Sequence, residues 1–235
     1  MKILAFDSTA KAASVAICED ERSLALYNID NGLTQSELLL PMAANMLKCL
    51  HMSFDDIELV TASMGPGSFT GVRIGAALVK GIAFGRNMQV VGVSTIEALA
   101  RNAMPLCGII VPVMDARRGQ VYTAIFRSDG KNAIRITEDV AISIKELASR
   151  LGEYEGEAIY LVGDGYDVAM RGLVAEGVEL SPTPPLLISE NAYSIAQVAR
   201  EKYERGECVS DAEIAPTYLR MPQAERERLE RLGER

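Results

Sequence analysis

Two spacings of apolar residues alternate along the chain. Short apolar runs at 2–6, 13–18, 23–29, 59–64 and 89–93 read as strands, and the stretches 34–50, 72–84 and 95–103 carry helical spacing. Thr34 opens the first helix with Glu37 three residues on, the spacing of a capping box. At residue 109 the order starts again. Strands at 109–114, 121–126 and 134–142 lead to a helix at 144–151, a strand at 158–162 and a helix at 166–175. A short strand near Val178 and a helix at 192–205 complete the second half. Each half therefore reads βββαβα, with Asp7 matching Asp115 and the Gly65 turn matching the Gly163 turn. Hairpin strands followed by alternating helix and strand give a mixed sheet covered by helices. The expected fold is a duplicated α/β structure of two lobes, 1–104 and a smaller 105–220, followed by a charged tail at 221–235.

That order resembles the actin, sugar-kinase and Hsp70-like (ribonuclease H-like) superfamily. The resemblance implies that the first-hairpin Asp and the glycine-rich turns face a nucleotide cleft between the lobes. Composition then removes several functions. Apolar residues make up 49% of the 235, which suits a globular protein and excludes wholesale disorder. The formal charge of −8 argues against unaided binding to nucleic acid, where phosphate neutralisation supplies most of the affinity. Cys18, Cys49, Cys107 and Cys208 lie far apart with no C-x-x-C pair, so neither a zinc site nor a disulfide framework is expected. The chain opens on a strand without a signal segment and has no stretch long enough for a bilayer, so a cytoplasmic protein is expected. The single histidine, His51, would have to serve any triad or His-rich metal site. It falls at a helix end, where the dipole favours histidine, and that reading outweighs a catalytic one.

The densest motif is Gly65-Pro66-Gly67-Ser68-Phe69-Thr70-Gly71-Val72-Arg73-Ile74-Gly75, between a strand and a helix. A glycine turn at a helix start presents free amides to an anion. The run nevertheless fails both common nucleotide templates. Gly71 is followed by Val72 and Arg73 rather than Lys and Ser or Thr, and Gly67 and Gly71 are separated by three residues instead of two. A phosphate loop and a plain tight turn weigh equally on this chemistry. The candidate nucleotide or anion site, a vestigial one, comprises Asp7, Gly65, Gly67, Ser68, Asp115, Arg117 and Arg118. For Asp7 in Asp-Ser-Thr the turn reading comes first. Arg117 and Arg118 either hold an anion or pair with Asp115 and neighbouring Glu residues.

Helix 72–84 carries only Arg73 and Lys80 as charges, seven apart on one stripe, and is otherwise small or apolar. Helix 34–50 is apolar over far more than one face. A sheet-covering helix needs one apolar stripe, so two neighbours with a surplus imply a protein partner rather than a deep core. The expected contact residues are Leu38, Leu39, Met42, Met46, Val72, Gly75, Ala76 and Val79.

The segments Met64 to Gly75, Met114-Asp115-Ala116-Arg117-Arg118-Gly119-Gln120-Val121-Tyr122 and Pro216-Thr217-Tyr218-Leu219-Arg220 resemble the bacterial TsaB (YeaZ) family. The opening Ile3-Leu4-Ala5-Phe6-Asp7-Ser8-Thr9 and Ser36-Glu37-x-Leu39-Leu40-Pro41 fit too, although Gln35 stands where the family commonly has His. The resemblance covers nearly the whole chain. It implies a non-catalytic subunit of the machinery that makes threonylcarbamoyladenosine beside the tRNA anticodon. Its implied partners are the catalytic paralogue TsaD, in a heterodimer through the first two helices, and the ATPase TsaE, with a homodimer when alone. Contact with tRNA is then indirect, and ATP and metal are used by the partners, with no cofactor on the lone chain. TsaD holds its metal partly by a His-x-x-x-His pair. Thr95 and Leu99 occupy the corresponding places here, and neither binds metal as imidazole does. No catalytic residue and no metal ligand is therefore expected. Two alternatives stand beside this: an ATP-dependent small-molecule kinase of the same superfamily, and a glycoprotease, which the missing metal ligands oppose. The charged tail reads as a solvated helix or a disordered end.

Overall fold

A computed structural model describes residues 1–86 and 88–220. The tail 221–235 and the expectation attached to it lie outside the described residues. The first sheet is built from β1 (Lys2–Asp7), β2 (Ala13–Glu19), β3 (Arg22–Ile29), β4 (Leu59–Ser63) and β5 (Gln89–Val93), in the order β3-β2-β1-β4-β5. β1 lies antiparallel to β2 from Lys2↔Glu19 to Asp7↔Ser14 and parallel to β4 from Ile3↔Leu59 to Phe6↔Ala62. The helices are α1 (Gln35–Cys49), α2 (Phe69–Ala83) and α3 (Thr95–Ala103). Thr34 caps α1 as its spacing predicts, its amide and hydroxyl both donating to the Glu37 carboxylate.

The second sheet centres on β6 (Gly108–Asp115). The next strand is broken into β7 (Gln120–Thr123) and β8 (Phe126–Ser128), both antiparallel to the same edge of β6. β9 (Ala133–Arg135) and β10 (Val140–Ser143) extend that edge, and β11 (Ile159–Val162) runs parallel on the other. Helices α4 (Ile144–Leu151), α5 (Tyr166–Ala175), the short α6 (Pro185–Ile188) and α7 (Ala192–Glu204) follow. The fold is thus a duplicated mixed-sheet α/β structure with helices on the sheets.

Alternation along the central strands divides four cores. Leu4 and Phe6 of β1 face α1 and α2, whereas Ile3 and Ala5 face Ala192, Ile195, Ala196 and Ala199 of α7. In the second sheet, Ile109, Val111 and Val113 face α4 and α5, and Ile110 and Met114 face Ile96, Leu99 and Ala103 of α3. The closing helices are therefore exchanged: α3 covers the second sheet and α7 the first. The 104/105 boundary separates the sheets, but α7, expected with 105–220, packs on the first lobe. So does the segment after it, where Val209 bridges Val90 and Ile214 joins the first core.

Besides the strand expected at 121–126, which is broken into β7 and β8, three expected elements differ. The strand expected at 134–142 is two, because the Ile125 amide is taken by the Thr137 hydroxyl and its carbonyl by the Ile136 amide, outside any ladder. No strand forms near Val178. Pro182, Pro184 and Pro185 follow, and a proline has no amide to donate to a ladder, so the segment hydrogen-bonds to β11 through Ser181 N to the Ile159 carbonyl and the Thr183 hydroxyl to the Leu161 carbonyl, while Val178 and Leu180 pack on its core. Finally, α2 starts at Phe69 rather than 72, since Ser68 Oγ accepts the Gly71 amide as its cap.

Candidate functional site

The glycine run is occupied by the chain itself. The Ser68 amide donates to the Thr9 carbonyl at 2.8 Å, and Ser8 Oγ donates to the Gly71 carbonyl at 2.8 Å. A Cβ on Gly71 would lie 1.8 Å from the Ser8 carbonyl oxygen, and one on Gly67 2.7 Å from Thr9 Cβ. These glycines therefore let the turn at Ser8–Thr9 seat against the α2 start, and the tight-turn reading prevails over the phosphate loop at this spot. The second lobe repeats the device: a Cβ on Gly163 would lie 2.3 Å from the Val113 carbonyl.

Between the lobes lies a cleft of about 660 Å³ that gathers Gly67, Ser68, Asp115, Arg117 and Arg118 from the candidate set. Gly65 and Asp7 do not line it. Asp7 is 2% exposed, and its Oδ1 accepts the Thr9 amide and hydroxyl, the turn chemistry its sequence predicts. Asp115 Oδ1 accepts the Arg117 amide at 2.7 Å, and its Oδ2 pairs with the Arg117 guanidinium at 3.1 Å. Arg117 and Arg118 adopt φ of +64° and +55°, followed by Gly119 at +71°. Left-handed backbone at an L residue costs about 1 kcal/mol or more, so the hairpin holds two arginines where glycine or asparagine is usual.

A strap formed by 216–220 closes one side. The Thr217 amide donates to the Met64 carbonyl at 2.7 Å. The Tyr218 ring lies 5.0 Å from that of Phe69, and its hydroxyl accepts Arg73 Nε at 2.9 Å. Arg220 reaches the Ala116 carbonyl at 3.5 Å. The three sequence segments that carry the family resemblance, far apart in the chain, thus meet at one cleft.

Asp115 and Asp164 line the cleft, and the buried Glu190 backs onto Asp164. The Asp164 amide donates to Glu190 Oε1 at 3.2 Å, and Asp164 Oδ1 accepts the Asp115 amide at 3.0 Å. Burial pushes Glu190 up to about 8, helped by the charges of Asp7 and Asp164. Burial also raises Asp7 to about 6, against the hydrogen bonds from Thr9. Asp164, exposed on the cleft wall, is raised in the same direction by partial burial and by the charge of Asp115. Sequence reading missed Asp164, Glu190, Lys11, Arg171, Phe69 and Tyr218. Gly-Asp-Gly was a signal for Asp164; an isolated Glu190 left none. Thr95 is fully buried with its hydroxyl unpartnered, and Leu99 is core beneath the second sheet.

The expected interface residues need correction. Leu39, Met42, Met46, Val72, Gly75, Ala76 and Val79 are buried within the chain, because the stripe they share is the one α1 and α2 turn to the first sheet. Leu38 alone is partly exposed. The outward faces instead show Leu40, Pro41, Ala44, Ala77 and Gly81, with Phe84 77% exposed just past α2. Among the described residues no helix is long and apolar enough to cross a membrane, and no group of three His, Cys, Asp or Glu is placed to hold a metal ion.

Known proteins extend this picture. The family model described as TsaD, tRNA N6-adenosine threonylcarbamoyltransferase, matches residues 34–225. The tRNA threonylcarbamoyladenosine biosynthesis protein TsaB of Buchnera aphidicola subsp. Baizongia pistaciae is 39% identical over 224 residues, covering 92% of this chain and 97% of that one. TsaB of Escherichia coli is 30% identical over 223 residues, covering 94% and 95%. The structure of YeaZ from Pseudomonas aeruginosa shares the fold, with a TM-score of 0.76 at 23% identity over 93% of this chain and 99% of that one. Agreement with TsaB over nearly the full length of both chains, within a domain model that also describes the transferase, leads to one conclusion: the chain belongs to the TsaB family.

Proposed function

We propose that this chain is a non-catalytic subunit in the biosynthesis of tRNA threonylcarbamoyladenosine. It pairs with the TsaD-type catalytic paralogue, or with itself when alone, and helps recruit the TsaE-type ATPase. Contact with tRNA comes through the complex. The observation that carries the reading is the outward face of α1 and α2. Sheet-covering helices ordinarily turn charge to solvent. These two cover the same face of the first sheet and, beside the exposed Glu37, Asn45, Lys48 and Arg73, present Leu40, Pro41, Ala44, Ala77 and Gly81, with Phe84 just past α2. Small residues there let a partner's backbone approach closely. The glycine run filled by Ser8 and Thr9 speaks for a subunit that leaves the chemistry to its partner. So do Thr95 and Leu99 where the paralogue has histidines.

The test is co-purification of the full chain with its TsaD-type partner. Ala77→Arg places a charge on the exposed face, so complex should be lost while the melting temperature of the lone chain stays put. Undiminished complex with Ala77→Arg would remove the pairing surface.

A further inference from the structure

Helix α2 carries two charges, Arg73 and Lys80, and both are spent on the segment that follows α7. Lys80 Nζ donates to the Ala212 carbonyl at 3.1 Å. Arg73 Nε donates to the Tyr218 hydroxyl at 2.9 Å, and its guanidinium lies 3.8 Å from the centre of the Phe69 ring. Two glycines of the first lobe make room for the same segment. A Cβ on Gly65 would lie 2.6 Å from the Thr217 carbonyl oxygen, and one on Gly92 2.9 Å from Ile214 Cδ1. The strap is therefore seated on the first lobe by hydrogen bonds, an aromatic contact and two cleared backbone positions.

Its far end crosses to the second lobe. There Arg220 donates to the Ala116 carbonyl at 3.5 Å, at the base of the hairpin that carries Arg117 and Arg118. That single long hydrogen bond is weak beside the first-lobe seat, so the strap has two states, latched at Ala116 or released. Arg73 lies one helical turn before Ala77 and is exposed in the lone chain, where water competes with Tyr218 for its N–H groups. A protein covering that face would exclude the water, and the charge-assisted bond to Tyr218 gains strength in the drier surroundings. With Tyr218 held, Arg220 two residues on stays within reach of Ala116. We infer that the strap is a lever: a protein seated on α1–α2 latches it, and pairing at one face thereby fixes the second-lobe hairpin at the mouth of the interlobe cleft. The inference rests on the pairing face proposed above. Arg73, Tyr218 and Arg220 are positioning residues in it.

The test is hydrogen exchange at residues 115–120 in the full chain, alone and in complex with its TsaD-type partner. Exchange there should slow about fivefold or more in the complex. Arg220→Gln weakens only the latch, so its complex should leave the hairpin at the lone-chain rate. Coupling between two sites is reciprocal, so this variant should also lose pairing affinity by the same factor by which the parent's exchange slowed. Tyr218→Phe keeps the ring and removes the acceptor for Arg73, and should reduce both factors together. Both side chains are partly exposed, and the lone variants should melt with the parent. No slowing in the parent complex, slowing that survives Arg220→Gln, or two factors that disagree would each overturn the lever; the second outcome would mean that the partner covers the hairpin directly. A complex that Ala77→Arg leaves intact would remove the pairing face and the lever with it. A failed latch in a complex that Ala77→Arg does abolish would remove the lever alone.

Discussion

Glu190 sits 6% exposed just ahead of α7, with Asp7 and Asp164 as acidic neighbours, and Arg117 and Lys11 act on Asp164. Its carboxyl titrates near 4.5 in an open chain and near 8 in the fold. The folded state holds the proton more tightly, so this contribution to stability is complete below about 4.5 and is lost as pH rises through about 8. The loss is at most on the order of 5 kcal/mol. In Glu190→Gln the decline should flatten: chemical denaturation at pH 9 should find the variant more stable than the parent, and at pH 5 the two should agree. A parent whose stability does not fall between these pH values would contradict the assignment. Gly71 offers a second test of single-atom scale. Its missing Cβ leaves room for the Ser8 carbonyl at 1.8 Å, so Gly71→Ala should lower stability by about 3 kcal/mol or prevent folding. The sequence displayed Gly71 plainly, but not its purpose. What a glycine lets approach is decided by a residue 63 positions away, and no local pattern records that.

At the scale of elements, nearly every strand and helix was legible, because alternation and helical spacing survive in single segments. Thr34 with Glu37 gave the α1 start to the residue. The α2 start was misplaced by three because Ser68, Phe69 and Thr70 looked like the tail of a glycine turn, whereas Ser68 caps the helix. The pairing residues were inverted for a deeper reason. A helix with surplus apolar residues shows that two faces are apolar, but not which of them the sheet takes. The fold assigns Leu39, Met42, Met46 and Val79 to the sheet and leaves Ala44, Ala77 and Gly81 outside. An arginine at Ala76, 4% exposed, would disrupt the core, which is why the pairing test belongs at Ala77. The cleft was half legible. Asp115, Arg117 and Arg118 were visible as a motif, whereas Arg171 and Tyr218 join them only through tertiary placement.

On the scale of the molecule, the internal repeat announced two similar halves but not their entanglement. A βββαβα order looks the same whether each closing helix covers its own sheet or its neighbour's. Here Ile3, Ala5, Cys18, Leu59 and Val91 of the first sheet depend on Ile195, Ala196 and Ala199 of α7. A fragment 1–104 should therefore remain unfolded by circular dichroism and bind a hydrophobic dye, and adding a peptide of 189–220 should restore its structure. An independently stable 1–104 would refute this dependence. The exchange also sets a timetable during synthesis. The first sheet is chemically complete once β5 has been made at Val93, yet its cover begins at Ala192. At about 5–20 residues per second the ribosome needs roughly 5–20 s to bridge that gap. For that interval the nascent chain carries an apolar sheet face with nothing to lay on it, so a variant that delays translation between 105 and 190 should increase chaperone capture while leaving the finished protein unchanged.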